Sequence, residues 1–571
     1  MPLTDGSLVF ASDLPGYPQV FLQTAPGAWP ERLTMTTERT LPIAEAHSGI
    51  VVRHDRGGNE AWQLSLVTRD GRVQLLTSDM KAMHVTATLS PDRRQIGLAY
   101  NPGGQDDFRL GVLDLRSGLI EDWLCPKGWW HWQAWSPDGT AAIVSHQLSS
   151  TSIESYLVRP GREPQRLLPD AGRVTGVAWR DSAIYALTDL GSEFLGVAEI
   201  DPQQLAAPSR WLVRADGDVE AFQPDDRGVR VAAVLNQGSF DQLIVCDLER
   251  RTEPSVVAAP GPGLVYSDNA SSTAEHLAWA PDGGSLYVSW ESPVEPSDIL
   301  QLPEGRRWTF AGGGRRAELV MPAETSFRSY DGLEVPGLLY PAGDGPRPTV
   351  VYFHGGPESQ LRGNFQPLFQ MLNAAGIAVF APNVRGSSGY GLRYLALDDR
   401  GRRWDAVRDG CEAGRHLRSE GIASTVAAIG ASYGGFMTLA VLVEDPTLWT
   451  AGVDIVGIAD WHTFLKNTSG WRRAARMAEY GDPEGEESAV LAEMSPLRRA
   501  GAIKAPLLVI HGRNDIRVPV GEAEQIAAAA GAELMMFDDE GHGIVKHGNR
   551  VRAFSRVLGF LTERLTSRSD A

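Results

Sequence analysis

Through the first 300 or so residues, one short pattern keeps returning: an aromatic or apolar side chain followed by a Pro-Asp or equivalent turn. It reads LSPD at Leu89 to Asp92, WSPD at Trp135 to Asp138, WRD at Trp179 to Asp181, FQPD at Phe222 to Asp225 and WAPD at Trp279 to Asp282. The copies are 43 to 57 residues apart, the length of a unit built from four short strands. Each turn leads into an alternating segment such as RQIGLAY, TAAIVSH or GSLYVSW, then a further strand such as FRLGVLDL, SYLVR or QLIVCDL. Period-two alternation marks half-buried strands. Two weaker copies come first, around DGSLVFASD with QVFLQTA and around GIVVRHD with WQLSLVT. A sheet of this size cannot bury both faces alone, so the units must stack on one another. The expectation is an all-β propeller of about seven blades over residues 1–315. A β-sandwich array or two smaller β domains fit less well, because the blade-length period persists across some 300 residues.

Near Phe310 to Arg316 the rhythm changes at a Gly-Gly-Gly-Arg-Arg stretch. Apolar strands now alternate with amphipathic segments: TVVYFHG with NFQPLFQMLNAAG, IAVFAPN with WDAVRDGCEAGRHLRSEG, VAAIGAS with a helix expected from Gly435. PLLVIHG with VGEAEQIAAAAGA and ELMMFDDEG with NRVRAFSRVLGFLTERL continue the series. Near-continuous apolar strands separated by helices require a parallel sheet covered on both faces. A second domain of α/β class is therefore expected over 316–571, and 571 residues are enough for two cores.

Within that half, Gly430-Ala431-Ser432-Tyr433-Gly434 follows a strand directly and opens a small-residue helix. This is the setting in which a sharp elbow lifts a serine oxygen above the sheet. A hydroxyl needs a base to take its proton, and the base needs an orienting carboxylate. Asp515 in HGRNDIRVP and His542 in DDEGHGI follow two later strands in that order. Both fall at the carboxyl ends of strands, where sheets of this kind form their crevice. His354, His511 and His547 compete less well, and Asp538 and Asp539 lie too near His542 in sequence to orient it. Charge developing on a carbonyl oxygen needs preorganised donors, which HGGP (His354 to Pro357) and the Tyr433 N–H can supply.

These motifs, together with NVRGSSGYG (Asn383 to Gly391), GASYGGFM (Gly430 to Met437), YGDPE (Tyr480 to Glu484) and SPL (Ser495 to Leu497), resemble the prolyl oligopeptidase family. The likeness is greatest to its acylaminoacyl-peptidase branch and runs through nearly all of the last 250 or so residues. It implies an N-terminal β-propeller followed by a C-terminal α/β-hydrolase catalytic domain over 316–571, a Ser432, Asp515 and His542 triad, and an oxyanion hole made by Gly356 and Tyr433. It also implies an arginine that holds a substrate carbonyl, and anchoring on YGDPE places Arg473 nearest that role. Arg472, Arg473 and Arg476 crowd one short segment, and several together could instead clamp a peptide's terminal carboxylate. The paired glutamates with which dipeptidyl-peptidase relatives hold a free amino terminus have no convincing equivalent. The helix with which several members of the family begin is replaced by strand-like sequence.

The expected activity is thus a serine-type oligopeptidase of acylaminoacyl-peptidase type, capped by the propeller and acting on short peptides. Carboxypeptidase specificity is the alternative within the family. An esterase or lipase, and a propeller binding module fused to an inactive hydrolase, are the rivals outside it. No metal or organic cofactor is required. A net charge of -18 argues against nucleic acid and anionic membranes as partners. No signal or spanning segment is evident, so a cytoplasmic location is expected, and homo-oligomerisation is left open. Cys125, Cys246 and Cys411 are odd in number and widely spaced, and are expected as buried free thiols.

Overall fold

A computed structural model describes residues 1–265, 276–312 and 318–566. The N-terminal part forms seven antiparallel sheets, six of four strands and a first of three. The repeated aromatic has a structural purpose. Trp135 Nε1 of the fourth blade donates to Thr88 O of the third at 3.0 Å, and Trp279 Nε1 of the seventh donates to Gln223 O of the sixth at 2.9 Å. These two tryptophans therefore join their blades to the preceding ones. The turn aspartate closes the hairpin, as where Asp138 accepts from Ser136 Oγ (2.6 Å) and Thr140 N (3.0 Å). The first blade (Leu8–Ser12, Gln19–Gln23, Glu31–Arg32) meets the seventh through a Leu8, Tyr287 and Trp308 cluster and the Gln23 Nε2 to Trp308 O bond of 2.8 Å. The ring encloses a cavity of about 2080 Å³ lined by Trp132, Trp135, Trp179, Trp279 and Trp308 among others.

The C-terminal part is one eight-stranded sheet. Its strands are β1 (Ala323–Arg328), β2 (Glu334–Tyr340), β3 (Arg347–Phe353), β4 (Ala378–Pro382), β5 (Ala423–Ala431), β6 (Ala451–Ile455), β7 (Leu507–Gly512) and β8 (Glu533–Phe537). They lie in the order β1-β2-β4-β3-β5-β6-β7-β8, antiparallel at β1-β2 and β2-β4 and parallel elsewhere. On β5, Val426 and Ala428 enter one core while Ala427 and Ile429 enter the other. That alternation is why the strand must be apolar throughout. Helices α1 (Pro367–Ala374) and α7 (His547–Leu565) cover one face. Helices α2 (Arg403–Ser419), α3 (Tyr433–Glu444) and α6 (Gly521–Ala530) cover the other. The helix after β5 begins two residues earlier than its sequence suggests, at Tyr433.

The domain boundary expected at 315/316 lies outside the described residues. Cys246 and Cys411 are buried as expected, but Cys125 is exposed, because it follows the outermost strand of the third blade. Among the described residues, no helix is long and apolar enough to cross a membrane.

The propeller covers the carboxyl ends of the parallel strands. On one side Arg362, in the loop after β3, pairs with Asp241 at 2.6 Å, with side chains only 5% and 0% exposed. Its guanidinium also donates to Gly238 O and Phe240 O.

Asp454, fully buried near the end of β6, gives a stability prediction. Burial pushes its carboxyl up to about 7, nearby Glu522 acts in the same sense, and the Gly457 N–H opposes both. The folded state therefore favours the protonated acid. As pH rises above the unfolded value of about 4, folding loses about 1.4 kcal/mol per unit until the folded value is passed. Asp454→Asn should raise the melting temperature relative to the parent increasingly from pH 5 to 7, then level off. Thermal unfolding across pH 5 to 8.5 checks this, and a pH-independent difference would contradict it.

Candidate active site

Ser432 is the hinge between β5 and α3, with φ +59° and ψ −120°. A non-glycine residue holds such a conformation only where its surroundings impose it. Here they do. A Cβ on Gly430 would fall 2.2 Å from Gly434 O, and one on Gly434 would fall 2.0 Å from Phe353 O. Only glycines let the chain reverse this sharply over the end of β3. The Ser432 N–H is tied to Ile455 O at 2.9 Å.

The three candidate residues meet at this elbow. His542 Nε2 lies 3.0 Å from Ser432 Oγ, and His542 Nδ1 lies 2.7 Å from Asp515 Oδ2. With the Nδ1 proton given to Asp515, Nε2 is the acceptor for the serine hydroxyl. The other carboxylate oxygen, Asp515 Oδ1, accepts the N–H groups of Arg517 (2.8 Å) and Val518 (2.9 Å). Burial alone would raise the Asp515 carboxyl. The His542 charge and hydrogen bond, His511 and the Val518 N–H outweigh it and hold the carboxyl below the usual range.

The loop carrying His542 is closed by Glu540, which sequence reasoning passed over. Its buried carboxylate accepts from Val545 N, Lys546 N and Asn549 Nδ2 at 3.1, 2.9 and 2.9 Å. Asp538 and Asp539 are engaged elsewhere, with Arg513 and with Lys546 and Asn549. Of the competing histidines, His354 bonds Ser387 Oγ and Gly355 O and so braces the HGGP loop. His511 Nε2 contacts Val518 O, and burial lowers its affinity for a proton. His547 opens α7.

The HGGP loop lies against the serine: a Cβ on Gly355 would sit 3.4 Å from Ser432 Cβ. Gly356 follows at φ +128°. Tyr433 is the first residue of α3, where main-chain N–H groups have no carbonyl within the helix. Its phenol turns away from the serine, donating to Asp398 Oδ2 at 3.1 Å.

The three arginines, on helix α5 (Gly470–Tyr480), have different surroundings. Arg473 is engaged within its own domain. Its Nε and Nη2 donate to Leu465 O and Lys466 O at 2.8 Å each, capping the preceding helix Trp461–Asn467. Arg476 pairs with Glu479 (2.8 Å) and Glu358 (3.5 Å). Those two acids divide their roles. Burial and the facing charge of Glu358 push Glu479 well up, so it keeps its proton. For Glu358, burial is outweighed by the hydrogen bond from Glu479 and the charge of Arg476, which bring it down to about 2. No carboxylate of the described residues lies within ion-pair distance of Arg472. Burial, with the charges of Arg476 and Arg517, outweighs the charge of Glu60 and lowers the affinity of the Arg472 guanidinium for a proton to about 9. Arg472 is thus the cation of the three with an interaction to spare.

Residues 364–568 match the prolyl oligopeptidase family, so the chain carries a domain of that family. Dipeptidyl aminopeptidase BIII of Pseudoxanthomonas mexicana is 35% identical over 242 residues, covering 40% of this chain and 34% of that protein. Acylamino-acid-releasing enzyme 2 of Oryza sativa subsp. japonica is 29% identical over 242 residues, covering 39% and 31%. The chain thus spans about a third of the length of these relatives. A puromycin-hydrolyzing peptidase of Mycobacterium tuberculosis superposes with a TM-score of 0.81 at 21% identity, covering 99% of this chain and 92% of that one. It shares the fold.

Because Arg473 caps a helix, Arg473→Ala should lower stability by about 1–2 kcal/mol. It should leave the ratio of cleavage rates for free-acid and amidated peptides unchanged. Denaturant unfolding together with paired peptide assays checks both parts.

Proposed function

Given a prolyl oligopeptidase family domain whose serine, histidine and aspartate are hydrogen-bonded in series, we propose that this chain is a serine peptidase acting on short peptides. The observation that carries the reading is the relay from Ser432 through His542 to Asp515 at 3.0 and 2.7 Å. In this reading His542 takes the Ser432 proton as Oγ attacks the peptide carbonyl, and Asp515 stabilises the resulting imidazolium. The Gly356 and Tyr433 N–H groups bind the oxyanion. The tetrahedral intermediate collapses as His542 gives its proton to the leaving amine. Water, activated by the same histidine, then releases the acyl group from Ser432.

For specificity we propose acylaminoacyl-peptidase action, the release of blocked amino-terminal residues, with Arg472 rather than Arg473 as the holder of a substrate carbonyl. A second reading has its own support. A half-buried guanidinium with no carboxylate of the described residues in ion-pair distance suits a full negative charge better than a neutral carbonyl, which favours capture of a peptide's carboxyl end by Arg472.

Peptides with acetylated, free and amidated ends separate these readings. Ser432→Ala should cut turnover by on the order of 10⁴-fold or more with the fold intact. Substantial turnover by that folded variant would overturn the proposal. Under the carboxylate reading, amidation should cost roughly tenfold or more in kcat/KM, and Arg472→Ala should erase the difference. Equal cleavage of free-acid and amidated peptides, with acetylated ends preferred, selects the acylaminoacyl reading.

A further inference from the structure

The loops that carry Asp515 and His542 rest on the same short piece of the propeller. It is the connection between strands Gly49–His54 and Gln63–Val67 of the second blade. Asn514, one residue before the aspartate, donates its Nδ2 to Gly57 O at 2.9 Å. Gly541, one residue before the histidine, meets Gly58 so closely that a Cβ on it would lie 1.9 Å from Gly58 O. Arg517, whose N–H holds Asp515 Oδ1, sends its guanidinium to Glu60 at 2.7 Å. Asn514 N also donates to Glu540 O at 2.9 Å, tying the two catalytic loops to each other.

A continuous set of contacts therefore runs from the propeller to both partners of the serine. Glu60 fixes the Arg517 side chain, the Arg517 main chain fixes one oxygen of Asp515, and the other oxygen fixes His542. Gly57 and Gly58 back the two loops from behind. The two sides of the domain contact also differ in kind. Arg362 and Asp241 are almost fully buried, whereas the Arg517 side chain is 43% exposed and that of Glu60 10%. The dry pair is the firmer attachment, and the wetter one is the contact that solvent ions can weaken.

We infer that the propeller segment Gly57–Glu60 is a positioning element of the active site, with Glu60 holding the Asp515 and His542 loops in register with Ser432. The inference rests on the serine-peptidase reading above and adds to it that the hydrolase domain's triad is completed by the other domain. A displacement of about an ångström in a base or its orienter can lower a rate by up to a hundredfold without altering the fold. Glu60 would act through Arg517 and not by touching substrate.

The test uses the full chain and a small fluorophosphonate, which reports the reactivity of Ser432 without occupying an extended peptide site. Glu60→Gln should slow both modification of Ser432 and kcat by on the order of tenfold, with KM for a short peptide within about threefold of the parent. The paired reversal Glu60→Arg with Arg517→Glu should recover most of the loss. Added salt should slow the parent more than it slows Glu60→Gln. Asn514→Ala, which removes the Gly57 contact together with a longer 3.3 Å bond to Asp538 O and spares the ion pair, should slow modification in the same way. It also decides the matter should Glu60→Gln fail to fold.

Modification at the parent rate in both folded variants would overturn the inference. So would a loss confined to KM for peptides with a free amino end, which would make Glu60 a substrate anchor. Neither result touches the triad itself. Only labelling of Ser432→Ala at the parent rate, or an adduct at another residue, would remove the serine-peptidase reading.

Discussion

Everything in the site depends on one backbone reversal, in which the chain leaves β5, places Ser432 at positive φ and starts a helix in the next residue. The conformation is unfavourable for a serine and persists because the sheet leaves no alternative. Gly430 and Gly434 touch across the turn, and Gly434 lies on the carbonyl end of β3. The strand before and the helix behind are buried almost throughout, so the elbow cannot relax without exposing apolar surface from both cores. One consequence is geometric: the hydroxyl stands clear of the sheet beside the first N–H of a helix. The other is that the remaining partners must come to it, because it cannot move toward them.

Those partners arrive on loops, and loops need fixing. Asp515 is held by two N–H groups of its own turn and His542 by the belt that Glu540 makes around the following residues. Both loops then lean on the second blade, while the sixth blade anchors the loop after β3 through Arg362 and Asp241. The propeller is thus in contact with the loop that follows β3 on one side and with the loops of Asp515 and His542 on the other. A cap that served only to exclude large substrates would not need such contacts.

Much of this was legible in the sequence, because the features concerned are local. The Pro-Asp repeat marks blades through its turn chemistry, and two of its tryptophans, Trp135 and Trp279, turn out to be joints between neighbouring blades. The G-x-S-x-G elbow is readable because only glycine fits at either end. What was not legible depends on distant approach. Arg473 stood nearest the expected position by motif spacing, yet its guanidinium reaches back to the end of the preceding helix, and among the described residues it is Arg472 that has no carboxylate in ion-pair distance. Nothing about Glu60 in a propeller loop announces a partner more than 450 residues away. Glu540 was hidden by proximity, one of three acids before GHG, and only the folded loop shows which of them faces inward. Cys125 differs from the expected burial for a similar reason, since the strand it follows ends the blade and has no outer neighbour.

The central claim is acyl transfer to Ser432, and the acyl-enzyme is the species that distinguishes it from every non-covalent alternative. The direct measurement is rapid acid quench of the parent enzyme during turnover of an activated ester or amide, followed by peptide mapping in a mass spectrometer. The account predicts an adduct of the substrate's acyl mass on the peptide containing Ser432, formed faster than the steady state and absent from His542→Ala. Turnover with no adduct under conditions where deacylation is limiting, or an adduct on another side chain, would contradict it.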